Sequence, residues 1–200
     1  MLSLDFHRLI APVIAMTLVV VASNILVQYP FTPFDLGDYL TWGAFTYPVA
    51  FLVTDLTNRR YGPRVARQLV IVGFALAVIL SIGLATPRIA AASGTAFLVG
   101  QLLDITVFNR LRRQAWWRAP FVGSVIGSAL DTALFFSLAF AGDPDMIGPV
   151  NLFGTDVALW QSLAVFDFSV KMLIALVALL PYGALMSVIL PMERAEKATV

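Results

Sequence analysis

The sequence predicts an all-α integral membrane protein of six transmembrane helices, and three observations carry that expectation. Six apolar stretches, each long enough to cross a bilayer, occupy most of the 200 residues. Hydrophobic residues make up 60% of the chain and charged residues 12%, with a mean hydropathy of +0.87, whereas a soluble domain carries roughly 25% charged residues. The arginines gather in alternate gaps between the apolar stretches. The length accommodates one helical bundle over residues 1–200 and leaves no room for a separate soluble domain.

A hydrocarbon core of about 30 Å takes about 20 helical residues, which places spans at 9–27, 38–57, 65–85, 90–108, 119–140 and 163–190. The first follows Arg8 as a signal peptide would, but Asn24, Gln28 and Tyr29 stand where a small-residue cleavage site belongs, so it reads as a retained helix. The second contains Pro48 and ends in a polar run, Thr54 to Asn58, before Arg59 and Arg60; the third starts just after Gly62-Pro63. The fifth carries Gly123-x-x-x-Gly127, a spacing that lets two helices approach closely. Between 141 and 162, glycines and prolines predict an external loop, with an interfacial stretch ending at Trp160. The sixth span, like the first, holds an internal proline, here Pro181 and there Pro12.

Of the thirteen lysines and arginines, all but Arg88 and Lys171 fall at the N-terminus, in the second and fourth gaps, or in the tail. The positive-inside rule makes that side, and both termini, cytoplasmic.

Ionisable residues inside spans are expensive and therefore mark function. Five qualify: Asp55, Asp104, Asp131, Asp167 and Lys171. Asp55 and Asp104 fall near the cytoplasmic ends of the second and fourth helices. Asp55 is spaced i,i+4 from Arg59, so an inner-mouth ion pair or coupling site of Asp55, Arg59 and Asp104 is expected there. At 1.5 Å per residue, Asp131 lies about 18 Å along the outward-running fifth helix, at the depth of Lys171 on the inward-running sixth. Asp167 precedes Lys171 by one turn. Asn24, Gln101 and Ser128 reach similar depths, so carboxylates, one ammonium and neutral polar groups converge. A self-neutralising fastener is one reading, but one lysine needs only one acid, and the surplus carboxylate suits a polar ligand. The fourth and fifth helices also echo each other, Gly100-x-x-Leu103-Asp104-x-x-x-Phe108 against Gly127-x-x-Leu130-Asp131-x-x-x-Phe135.

Some chemistries are excluded. The single histidine, His7, lies outside the spans and there is no cysteine, so histidine-dependent catalytic dyads, disulfides and thiolate or histidine metal clusters have no residues to form them. No P-loop is present. The chain reads as a non-enzyme without cofactor, metal or nucleic-acid partner.

Short motifs in a fixed order carry a family resemblance: Ala22-Ser23-Asn24-Ile25-Leu26, Thr54-Asp55-Leu56-Thr57-Asn58 before Tyr61-Gly62, and Gln101-x-x-Asp104-x-x-x-Phe108. They continue as Ser128-x-x-Asp131-Thr132-x-x-Phe135-Phe136, then Lys171 and Pro181-Tyr182. The chain resembles the vitamin uptake transporter family, whose best-understood branch imports queuosine precursors. The resemblance implies a multi-pass importer of the bacterial inner membrane for 7-cyano-7-deazaguanine or its aminomethyl relative, with an outline similar to the substrate-binding components of energy-coupling-factor systems. Asn58-Arg59-Arg60 stands where the family pattern has an acidic residue before Tyr-Gly.

A guanine-like ring offers adjacent donors at N1 and the 2-amino group, and a carboxylate accepts both; Asp131 is the first choice for it. Lys171, Gln101, Asn24 or Ser128 then face the ring acceptors, Asp167 completes the charge cluster, and Trp42, Tyr47 or Phe135 stack on the ring. Partners beyond the base and the bilayer are not indicated: no motor subunit is evident, and a homo-oligomer stays open. Import of another vitamin-like heterocycle, a proton relay, or a structural membrane subunit are the alternatives.

Overall fold

The computed structural model describes residues 6–37, 39–84 and 86–189, with side chains left out at 6–8 and 81–84. Among these residues seven α-helices follow in chain order: α1 (Phe6–Leu26), α2 (Gly43–Thr46), α3 (Val49–Tyr61), α4 (Pro63–Leu84), α5 (Pro87–Leu111), α6 (Arg118–Phe140) and α7 (Leu159–Leu185). A hairpin of β1 (Pro149–Leu152) and β2 (Thr155–Ala158) precedes α7. Five of these helices, α1, α4, α5, α6 and α7, are long and apolar enough to cross a membrane. The protein is thus a mostly helical, multi-pass membrane protein. The expected boundaries at residues 38, 85 and 190, and the tail charges Arg194 and Lys197, lie outside the described residues.

The segment expected as one continuous second span is broken. Pro48 lacks the N–H that would continue the helix, and the chain is divided there into the single turn α2 and the thirteen-residue α3. The loop after α6, expected to be external, has a secondary structure that the sequence did not indicate. Residues 149–158 pair as an antiparallel hairpin whose two-residue turn, Phe153-Gly154, has positive φ at both positions (51° and 89°), the twist that a tight hairpin favours. Trp160 belongs to the first turn of α7, where the Gln161 side chain accepts from the Ala158 N–H.

Polar caps join the long helices at the end opposite the arginine-rich loops. Arg88, at the start of α5, donates to the Leu138 and Ala141 carbonyls, satisfying the exposed C-terminal turn of α6. At the other end, Gly62 turns the chain from α3 into α4 at φ 83°, a conformation that suits glycine, and Pro63 opens the next helix.

The core is thin because most of the apolar surface faces outward. Leu9, Met16 and Val20 of α1 pack on Val65, Ala66, Leu69 and Val70 of α4 and on Phe97 and Ile105 of α5. Along α7, Leu173, Leu176, Val177 and Leu180 are all exposed, an apolar stripe that suits lipid and not water.

The closest helix crossing is between α5 and α6. A Cβ built on Gly100 would stand 2.9 Å from the Asp131 Cβ, and one on Gly127 would stand 3.0 Å from the Asp104 Cβ and 2.9 Å from the Gly100 carbonyl oxygen. Each glycine leaves room for the aspartate of the facing helix. The repeated Gly-x-x-Leu-Asp pattern is therefore a reciprocal antiparallel crossing that sends one aspartate toward each end of the bundle.

Candidate functional site

Between α1, α2, α5, α6 and α7, a cavity of about 400 Å³ opens away from the arginine-rich loops. Its size is in the range of small-molecule sites. The polar floor is built by α6 and α7. Lys171, 3% exposed, donates to Asp131 Oδ2 at 2.7 Å and to Thr132 Oγ1 at 2.9 Å, and forms an ion pair with Asp167 Oδ2 at 2.5 Å. Thr132 in turn donates to Asp167 Oδ2 at 2.8 Å. The other oxygen of Asp131 accepts from the Tyr47 hydroxyl at 2.8 Å. Tyr47 is placed there by the break at Pro48, and its ring lies 5.4 Å from the ammonium.

An ammonium has three N–H donors, and Lys171 has three acceptors around it. That satisfies the buried cation completely. The two acids and one base leave a net charge of −1 on the floor, and the two carboxylates differ in openness. The Asp131 side chain is 3% exposed with both oxygens engaged, whereas that of Asp167 is 19% exposed and its Oδ1 meets no donor among the described residues. The geometry sets the two acids apart: both line the cavity, but Asp131, the first choice from the sequence, holds Lys171 and Tyr47, and the carboxylate oxygen without a donor among the described residues belongs to Asp167. For the same reason Lys171 organises the floor, having no N–H left for a ring acceptor.

The cavity walls include Asn24, Tyr47 and Phe135, as expected, together with Tyr39, Phe97, Phe136 and Phe140. Asn24 gives one amide proton to the Val20 carbonyl at 2.9 Å, and its Oδ1 has no partner among the described residues. Phe135 and Phe136 stand edge to face at 5.1 Å. Trp42 is corrected: it packs on Phe31 and Phe45 and is 44% exposed, away from the cavity lining. Gln101 and Ser128 are buried outside the cavity, Ser128 on a separate water-sized gap beneath it. The expected Asp55–Arg59 ion pair is also replaced. The Arg59 guanidinium lies 5.8 Å from the Tyr182 ring centroid, while the Asp55 carboxyl lies beside Asp104 and lines a small gap with Ser124. The cause is the α5–α6 crossing, which seats Asp104 against Gly123 and Gly127, beside α3.

Sequence reasoning missed Thr132, which bridges the ammonium and Asp167, and Tyr39, brought over the cavity by the α1–α2 loop. The signal for Thr132 was its place next to an intramembrane aspartate. Tyr39 had none, since loop folding decides it.

The family model described as "Putative vitamin uptake transporter" matches residues 41–86 and 80–186. A relative from Escherichia coli (strain K12), named "Queuosine precursor transporter", is 36% identical over 195 residues, covering 86% of this chain and 84% of its own. The chain belongs to the vitamin uptake transporter family. A "Probable queuosine precursor transporter" of Haemophilus influenzae is 35% identical, over 86% of this chain and 83% of its own. One of the same name from Bacillus subtilis is 26% identical over 74% and 71%. These relatives carry the names of transporters, not of enzymes. No solved structure matches the chain.

Removing Lys171 tests the floor. Lys171→Met leaves two buried carboxylates without their cation and is expected to destabilise the protein by about 3–5 kcal/mol, seen as a lower thermal midpoint in detergent. Adding Asp131→Asn removes one of the stranded charges and should recover part of that loss. Equal midpoints for parent and Lys171→Met would show that the ammonium does not hold the floor together.

Proposed function

We propose that this protein is a membrane transporter that imports queuosine precursors, 7-cyano-7-deazaguanine or its aminomethyl relative, through the cavity above Asp167. The observation that carries the reading is a free carboxylate edge in a cavity of about 400 Å³, in a chain 36% identical to a queuosine precursor transporter. Asp167 Oδ1 accepts from N1–H and the 2-amino group of the guanine-like ring. Asn24 answers the ring acceptors, and Phe135 and Phe136 bound its planar face. Asp131, Tyr47, Thr132 and Lys171 act behind Asp167, fixing its position and leaving one net negative charge. An adenine-like ring presents an acceptor at N1, so its docking leaves Asp167 and the ring nitrogen facing each other unpaired.

In the same reading the segment of α2 and α3 crosses the membrane as a sixth, interrupted span. Both termini then lie in the cytoplasm of a bacterium, in the outline of energy-coupling-factor substrate-binding components. Supporting it are the arginines that flank the α3–α4 and α5–α6 turns, and the single Arg88 at the opposite end. Discontinuous helices are a recurrent way to line transporter sites.

The substrate assignment is tested by uptake of labelled 7-cyano-7-deazaguanine in cells that cannot make it. Asp167→Asn should lower uptake about 10- to 100-fold, the loss of a hydrogen bond to a charged group, while the protein still inserts. Parental uptake by that variant, or inhibition of uptake by adenine as strong as by deazaguanines, contradicts the assignment.

Topology is accessible directly because the chain has no cysteine. A cysteine introduced at Gly148 should react with an impermeant maleimide in intact cells, and one at Gln114 only after lysis. The reverse pattern would invert the orientation.

A further inference from the structure

We infer that Asp55 and Asp104 form a proton-binding site that takes up and releases one proton in each import cycle, so that proton entry drives uptake. Its second half rests on the importer reading above; its first rests on the burial of the two acids, their lack of donors and the glycine seat of Asp104.

The two carboxyl groups are buried, Asp55 at 1% and Asp104 at 0% exposure, and lie within hydrogen-bond reach of each other. Asp104 cannot retreat, since its Cβ sits against Gly127 and its carboxylate against Gly123. Neither Asp104 oxygen, nor Asp55 Oδ1, meets a donor among the described residues; Ser124 is the hydroxyl at Asp55. No ion pair to either acid forms among the described residues: Arg59 of α3 and Arg112, just past α5, lie near Tyr182 of α7, and Lys171 of α7 is saturated by Asp131, Asp167 and Thr132. Arg64 and Arg67 of α4 are exposed, and α6 contributes Ser124 alone. Two ionised carboxylates in contact inside a protein repel strongly, and a carboxyl–carboxyl hydrogen bond requires that one of them carry the proton.

Two further observations are independent of the acid pair. Thr54 and Asn58 lie within one turn of Asp55 on α3, and Gln101 lies one turn from Asp104 on α5. All three are buried at 0% exposure with side-chain polar atoms that have no partner among the described residues. Orphaned groups of this kind call for water or a polar guest. Separately, on the side of Asp55 that faces α6 and α7, a gap of about 10 Å³, about one water, is lined by Asp55, Ser124, Ser128, Lys171 and Tyr182. Lys171 lines both this gap and the large cavity, and Asp55 lines the gap, so one member of the acid pair shares a small polar space with the underside of the ligand floor.

The proton's path follows from that placement. Hydronium in the open cavity gives its proton through the intervening water to Asp55, leaving neutral water behind. When the arginine-rich end opens, the same proton passes to cytoplasmic water. The pair is then left as two carboxylates, whose repulsion favours separation of α3 from α5. Because Asp104 sits on Gly127 and Asp131 sits on Gly100, that separation is transmitted through one helix crossing to the ligand floor.

The test uses the purified full chain in liposomes with labelled 7-cyano-7-deazaguanine. For the parent, acidifying the outside relative to the lumen should raise the initial rate about tenfold, and a protonophore should abolish the gain. Asp104→Asn and Asp55→Asn should retain exchange of labelled for unlabelled base at equal pH but lose the response to acid. A parent that exchanges base yet ignores the pH gradient, or responds to a sodium gradient in its place, overturns proton coupling. A parent that exchanges no base speaks against the importer reading instead. The bound proton is read separately by infrared spectroscopy of the parent at neutral pH, as a protonated-carboxyl stretch that disappears in Asp104→Asn. Absence of that band from the folded parent overturns the proton site whatever the transport result.

Discussion

One buried ammonium organises this molecule. Lys171 reaches the middle of an apolar bundle, where an unpaired charge would cost several kcal/mol, and is held there by three oxygens drawn from two helices. The cost of leaving any of those contacts unmade locks α6 to α7 in one register. It also fixes Tyr47, and with it the break between α2 and α3, through the second oxygen of Asp131. The cavity exists because this network forms a rigid floor under aromatic walls. The carboxylate left over, Asp167, is the most exposed of the three charged groups of the floor.

The glycines make that network sterically feasible. Without a Cβ at Gly100 and Gly127, α5 and α6 approach until each aspartate rests on the facing backbone. One crossing thereby serves two polar layers, Asp131 toward the open cavity and Asp104 toward the arginine-rich end. The Phe51 ring of α3 also meets this crossing at Gly127, so three helices share it.

Much of this was legible in the sequence, for physical reasons that also explain the remainder. Twenty apolar residues in lipid have little choice but to be helical, so the five long helices could be placed within a few residues. Depth along a helix follows from the rise per residue, so Asp131 and Lys171 could be paired from their distances to opposite ends. Azimuth around the helix axis was not legible. It decides that Trp42 turns to Phe31, that Ser128 and Gln101 stay off the cavity, and that Arg59 leaves Asp55 for Tyr182. Nor does composition tell which of two carboxylates is saturated, because that depends on Tyr47 arriving from a third element. The echo between the fourth and fifth spans was visible as a pattern, but its meaning needed the two helices to be seen crossing.

The central claim is that the Lys171 network presents Asp167 to a deazaguanine ring. A structure determined with 7-cyano-7-deazaguanine bound tests it most directly. The account predicts the ring's N1–H and amino edge within hydrogen-bond distance of Asp167, with Lys171 still held by Asp131 and Thr132. A base lodged outside the cavity, with the Asp167 Oδ1 edge left free, would contradict it.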